Sequence, residues 1–283
     1  MTVKTMKTLK PLSFLALFAV LVGGLSAPRA LAQEYKEAYN AAIEAAKAQD
    51  YSTAHDEFAR AADLAEQEGD TEIAGRAARN ASIIDYNLGR ELLDAENFDQ
   101  ALEHFESGIA LYPQSSNNYR GKAIALKNLE RPEEAIAAYQ DLIAHGEETG
   151  DSEAVTSGEE AIRDHYTFLA SSALGRQTEP SAADAREALG YLDELEELLE
   201  PTADTYFYRA AANNALGNYD EAIALANQAL EIHRGSRTDA AKIHFVRGEA
   251  LMYSGDTAAA KEAFQNATFG SYKSLAEHYL ETL

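Results

Sequence analysis

The chain has 283 residues, enough for one extended domain or two compact ones, and an apolar content of 46% that can bury a core. Its 24 basic residues stand against 47 acidic ones, a formal charge of −23. That balance argues against nucleic acid or an anionic membrane surface as the main partner, since Lys and Arg drive both kinds of binding. Cysteine is absent, so neither a disulfide framework nor a thiol nucleophile is available.

Residues 1–32 read as an export signal. MTVKTMKTLK is basic, LSFLALFAVLVGGL (12–25) is apolar, and Ala30-Leu31-Ala32 places small residues where a signal peptidase pocket needs them. Processing is expected after Ala32, giving a bacterial periplasmic or secreted product. The apolar run falls short of the roughly 20 residues of a spanning helix, and no later segment is apolar enough to span. An uncleaved anchor is the alternative. Lys4, Lys7, Lys10 and Arg29 have no acid beside them in this segment, so the remainder carries −23 − 4 = −27. Such acidity fits a salt-rich environment, where self-repulsion is screened, or an ordinary solvated helical surface. The triplets Asn80-Ala81-Ser82 and Asn266-Ala267-Thr268 fall in helical patterns and read as chance.

Beyond residue 34 the chain repeats itself. In YNLGRELLDAENFDQALEHFESGIALYP (86–113), counted from Ser82, Leu88 and Gly89 take positions 7 and 8. Leu92 takes position 11, Ala101 20, Phe105 24, Gly108 27 and Pro113 32. The next copy, from Ser116, has Tyr119 at 4, Ala123 at 8, Leu126 at 11, Ala135 at 20, Tyr139 at 24 and Leu142 at 27. From Ala203 the pattern returns with Tyr206, Ala210, Gly217, Ala222 and Ala229. From Ala241 it returns with His244, Gly248, Leu251, Gly255, Ala260, Phe264 and Ala267. An opening copy from Tyr35 has Ala42, Ala54, Phe58 and Ala61.

These residues resemble the tetratricopeptide repeat family, whose 34-residue helix-turn-helix unit has small residues at 8, 20 and 27 and larger apolar residues at 4, 7, 11 and 24. Small residues let helices approach while large ones fill the space between them. The resemblance implies an all-α, right-handed α-solenoid of about six units, because such units bury their apolar faces only by stacking. The units are expected at 35–68, 82–115, 116–149, 151–202, 203–236 and 241–274, with a C-terminal cap at 275–283 inside YKSLAEHYLETL. The fourth is irregular. Tyr166, Leu169 and Ala170 are expected to begin its first helix, Ala188, Leu192 and Leu195 to share a face of its second, and an insertion to lie around Gly175–Pro180. Residues 69–81 are expected to lengthen a first helix.

Chemistry-bearing motifs are missing. His55, His104, His145, His165, His233, His244 and His278 have no metal-ligand spacing, and no GxSxG, GxGxxG or GxxxxGK[ST] stretch occurs. Glu133-Glu134 and Glu196-Glu197 read as solvated helix faces, and GEETGDSE (146–153) lacks the alternating ligands of a calcium loop. No catalytic residue, metal or cofactor is expected.

In the resembled family, peptides bind along the surface lined by first helices. Carried onto this chain, the groove residues that stand out are Tyr86, Asn87 and Arg90, then Asn117, Arg120 and Lys127. Phe207, Tyr208 and Asn214 follow, with Phe245 and Tyr253 last. Arg90 and Arg120 are expected near each other, where a carboxylate of this chain or of a ligand would lie between them. The four aromatic residues would take an apolar anchor. Arg90 stands where the family's clamp for acidic chaperone tails has Asn, so that particular function is not implied. The expected function is a non-catalytic adaptor for a protein or peptide. A self-assembling envelope protein and a carboxylate-rich metal-binding or enzymatic protein remain alternatives, and oligomeric state is open.

Overall fold

The computed structural model describes residues 27–176 and 180–283, with side chains from Gln33 onward. The described residues are all-α and hold no strand. Consecutive helices are joined as helix-turn-helix pairs: α1 (Ala27–Lys47) with α2 (Tyr51–Glu68), α3 (Thr71–Asp94) with α4 (Phe98–Leu111), and α5 (Ser116–Asn128) with α6 (Pro132–Thr149). Then come α7 (Ser152–Leu174) with α8 (Ala182–Leu198), α9 (Ala203–Leu216) with α10 (Tyr219–Ile232), and α11 (Arg237–Ser254) with α12 (Thr257–Asn266). A 3-10 turn, Gly270–Tyr272, leads to α13 (Lys273–Thr282). The apolar core of the expected export signal lies outside the described residues, and the backbone of α1 runs unbroken past Ala32.

The turn within five of the pairs has one conformational requirement. Gln49, Glu96, Glu130, Gly217 and Gly255 all have positive φ, between 56° and 94°. Each stands at position 15 of its repeat. The left-handed residue lets two amides fold back onto the ending helix, as when Glu96 N donates to Leu93 O and Asn97 N to Leu92 O. Gly217 and its successor do the same with Asn214 and Asn213. Helix starts are fixed by side chains. Ser181 and Asp184, Thr202 and Thr205, and Ser236 and Asp239 form reciprocal capping pairs, while Pro132 opens α6 without wasting a donor.

Contacts divide the chain into two bodies, residues up to Asn87 with Ala110–Tyr112, and Leu88–Ile109 with Pro113–Leu283. In the first body Tyr35, Ala38 and Ala42 of α1, Ala54, Phe58 and Ala61 of α2, and Ala77, Ala81 and Ile84 of α3 are buried. Tyr39 meets the Phe58 ring edge-on at 5.3 Å, and Tyr35 donates its hydroxyl to Asp70 at 2.7 Å. The His55 imidazole lies 3.2 Å from the buried Asp85 carboxylate, whose hydrogen bond raises the imidazole pKa to about 9.

In the second body the small positions are where rings enter. A Cβ on Gly89 would lie 2.7 Å from the Phe105 ring, and one on Gly121 only 2.3 Å from it. Phe105 is thus wedged between its own pair and the next. Gly248 and Phe264 repeat the arrangement at 2.8 Å. Ala123, Ala210, Ala222, Ala229, Ala260 and Ala267 have no exposed surface. The pairs α5/α6, α7/α8, α9/α10 and α11/α12 pack in succession, and the first helices α5, α7, α9 and α11 lie side by side. At the C-terminal end Tyr279 of α13 stacks on Phe264 at 4.8 Å, and Ala276 is buried beside it.

One element starts elsewhere than expected. Tyr166, Leu169 and Ala170 lie in the second half of α7, which begins at Ser152 with Asp151 accepting from Ala154 N as its cap. The Asp-Ser-Glu triplet is a helix start that the irregular spacing of this region hides. Ala188, Leu192 and Leu195 are fully buried on α8.

Candidate functional site

The length of α7 contributes one wall of a cavity in the second body. Ala161, Asp164, His165, Phe168 and Ser171 recur at three- and four-residue spacing and so share one stripe of that helix. Facing the stripe are Lys127 from the last turn of α5, Glu130 from the turn, Pro132, Ala135, Ile136 and Tyr139 from the first half of α6, and Tyr208 from α9. Together they line a cavity of 740 Å³, within the range of small-ligand and side-chain pockets. Phe168 leaves 67% of its surface exposed at the rim.

The cavity is apolar at its base and mixed in charge at its edge. Burial raises the Tyr139 hydroxyl pKa and keeps that group protonated. Burial, and then the nearby Lys127 ammonium, lower the His165 pKa, so the imidazole is neutral at pH 7. Lys127, Glu130 and Asp164 supply charges of both signs. Aromatic walls, a neutral imidazole and scattered rim charges serve recognition of an apolar side chain flanked by polar backbone.

Of the groove residues expected from sequence, Lys127 and Tyr208 meet on this cavity. The others are distributed differently. Phe207 and Phe245 are each only 7% exposed, so neither has a face open to an anchor. Phe207 belongs to the core under α9 and α10, and Phe245 is covered by Tyr272 and Tyr279 beside the last helix. Asn214 donates to Val246 O at 2.8 Å and ties α9 to α11. Arg120 is committed within the chain: it reaches Glu153 and Ser157 of α7, both at 3.3 Å, and Asn117 at 3.5 Å. The carboxylate at Arg120 is therefore this chain's own. Tyr253 is 57% exposed but stacks on Tyr219 at 5.5 Å. Tyr86 is half-buried and Asn87 exposed in the first body, while Arg90 is exposed in the second.

Phe168, His165 and Ile136 were missed as binding residues. The signal was present as the 161-164-165-168-171 stripe, but residues 151–202 do not keep the repeat register that pointed to the other first helices. Among the described residues no three His, Asp or Glu side chains converge to hold a metal ion. No helix among them is long and apolar enough to cross a membrane.

Residues 86–151 match the family model described as Tetratricopeptide repeat. No curated protein matches the chain. Similar solved structures include YrrB, described as a TPR protein with an unusual peptide-binding site, at 19% identity over 71% of this chain and 92% of that one, with a TM-score of 0.37. A thermophilic TPR protein of Thermus thermophilus is 20% identical over 71% of this chain and 97% of its own, with a TM-score of 0.31. A tetratricopeptide repeat protein of Parabacteroides merdae is 16% identical over 88% and 98%, with a TM-score of 0.29.

Proposed function

We propose that the chain is an exported, non-catalytic adaptor that holds an extended segment of a protein partner in the cavity between α5, α6, α7 and α9. The observation that carries the proposal is Phe168, a large aromatic left mostly in solvent at the mouth of an apolar cavity. Leaving such a ring exposed costs about 2 kcal/mol of unrealised burial, which an apolar partner residue would recover. Tyr139, Ile136 and Tyr208 form the seat for that residue, and Lys127 and Asp164 flank the path of its backbone. The matched repeat family supports the adaptor class, and the basic-apolar-small order of residues 1–32 supports export.

The test is selection of peptides from a random display library on the parent protein, followed by titration on Phe168→Ser and Tyr208→Ala. The proposal expects selected peptides to share an apolar or aromatic residue and to bind each variant at least about tenfold more weakly, the loss of a well-packed anchor contact. Equal affinity for parent and variants, with circular dichroism unchanged, would remove the site from this cavity.

A further inference from the structure

The last helix pair differs from two of the pairs before it in how a first-helix cation is answered. Two copies place a cation at position 7, where the copies from Tyr35 and Ser82 have Ala41 and Leu88, and answer it from the second helix of the preceding pair. Lys122 reaches Glu106 of α4 at 3.2 Å, and Arg209 reaches both Asp193 and Glu196 of α8 at 2.6 Å. In the last pair this position is Arg247. The residue of α10 that matches Glu106 in register is Asn227, and among the described residues Arg247 forms no ion pair. Its Nε is buried without a hydrogen-bond partner, and so is Nδ1 of His244, one turn earlier.

His244 stands at position 4, which carries Tyr119 and Tyr206 in two other copies and Ala38 and Asp85 in the remaining two. Arg237, Ala240, His244 and Arg247 follow at spacings of three, four and three, so they occupy a single face of α11. The acid in the first turn of this helix, Asp239, is committed to the Ser236 capping pair. Arg237, Ala240 and His244 line a cavity of 360 Å³ whose other wall is Gln265, Asn266 and Phe269. Asn266 spends one of its two amide hydrogens on Glu262 O, and Arg237 forms no ion pair among the described residues. By sequence, segment 233–247 holds Arg234, Arg237, Lys242 and Arg247 against Asp239, a net of +4 − 1 = +3 in a chain of −23, and of these Lys242 is answered from outside the segment by Asp204 at 2.8 Å.

We propose that the cavity between the start of α11 and the end of α12 is a binding site for a small oxyanion-bearing ligand, a phosphate or a carboxylate. Arg237 and His244 would contact the charged group, Gln265 and Asn266 would offer amide hydrogen bonds, Phe269 would pack against the rest, and Arg247 would add charge from one turn away. A buried guanidinium donor and a buried imidazole nitrogen left without partners are costly, and an anion that draws a proton onto the imidazole satisfies both. The site is independent of the α5–α9 cavity. Burial lowers the His244 pKa, and Arg247 on its own helix and His233 at the end of α10 act in the same direction. A bound anion reverses that balance and favours the imidazolium, so binding strengthens as pH falls.

Calorimetric titration of the purified chain with inorganic phosphate, and separately with succinate, tests this at pH 5.5 and 8 in constant chloride. Saturable 1:1 binding of either anion is expected, weaker at the higher pH and lowered about tenfold or more by Arg237→Gln, the loss of one charge-assisted contact. Arg237 is exposed, so this variant retains the fold, and Arg234→Gln, whose side chain is turned back to Glu231 O and His233 O, serves as the control that binds like the parent. Binding of phosphate alone or of succinate alone identifies the ligand source. No saturation by either anion, or equal binding by Arg237→Gln, His244→Gln and the parent, overturns the site.

Discussion

Gly121→Ala puts the packing of the repeat under direct strain. Gly121 lies inside α5, and a methyl group there would stand 2.3 Å from Cε1, 2.4 Å from Cδ1 and 2.6 Å from Cζ of Phe105. Carbon atoms rest about 3.5–4.0 Å apart, so the ring would have to retreat by more than about 1 Å. It has nowhere to go: Phe105 is fully buried, and the Cβ position of Gly89 lies 2.7 Å from the same ring. Overpacking of this kind costs about 3 kcal/mol, against about 1 kcal/mol gained from the better helix propensity of alanine, leaving a net loss near 2 kcal/mol. For a chain of this size the thermal midpoint should fall by roughly 4–8 °C. Gly190→Ala in α8, where nothing lies within 4 Å of the added methyl, gives the propensity gain alone and should raise the midpoint by about 2–4 °C. In a Phe105→Leu background the penalty of Gly121→Ala should shrink by at least about 1 kcal/mol. Thermal and urea unfolding followed by far-ultraviolet circular dichroism measures all three. Equal stability of Gly121→Ala and Gly190→Ala would refute the wedge of Phe105 between successive helix pairs.

Glu96→Gly should stabilise the chain by about 0.5–1 kcal/mol, because position 15 needs the left-handed conformation that glycine adopts without strain, and urea unfolding reads the gain. His55 has a folded pKa raised to about 9 by Asp85 and then Asp56. Its contribution is fully present below pH 6.5 and lost as pH rises through about 9, so the parent's thermal midpoint should fall across that window more steeply than that of His55→Gln. Burial raises the Glu249 pKa to about 7 despite its hydrogen bond with Tyr279. A raised carboxyl destabilises the fold as pH climbs from its unfolded value through 7. Glu249→Gln should therefore gain on the order of 2 kcal/mol over the parent at pH 8 and little at pH 4, as a pH series of unfolding midpoints would show.

The sequence made the all-α repeat legible because its packing rule is local. Gly89, Phe105, Gly248 and Phe264 stand at fixed register positions, and the structure sets each glycine against its ring. Position 15 was legible only where it is Gly217 or Gly255; Gln49, Glu96 and Glu130 share that backbone without a glycine to announce it. The groove was legible in part. Register assigns Phe207 and Tyr208 to neighbouring positions of a first helix, but only packing decides that the first enters the core and the second reaches the cavity. Phe245 was hidden by rings more than 25 residues later in the chain, Tyr272 and Tyr279, which fold over it. Arg120 found its acid on Glu153, 33 residues on, a pairing that no spacing rule contains. The stripe on α7 went unread because residues 151–202 break the 34-residue period on which the rest of the groove was mapped.

The adaptor proposal is tested most directly at its exposed ring. A photocrosslinking aromatic residue placed at position 168 should couple to a partner segment, and mass spectrometry of the adduct should locate the link at or next to an apolar side chain of that segment. The same probe at Ile232, an apolar residue 41% exposed on α10 and outside the cavity, should give little or no adduct. Equal yields at the two positions, or yield at position 168 unaffected by excess of a library-selected peptide, would contradict binding in the α5–α9 cavity.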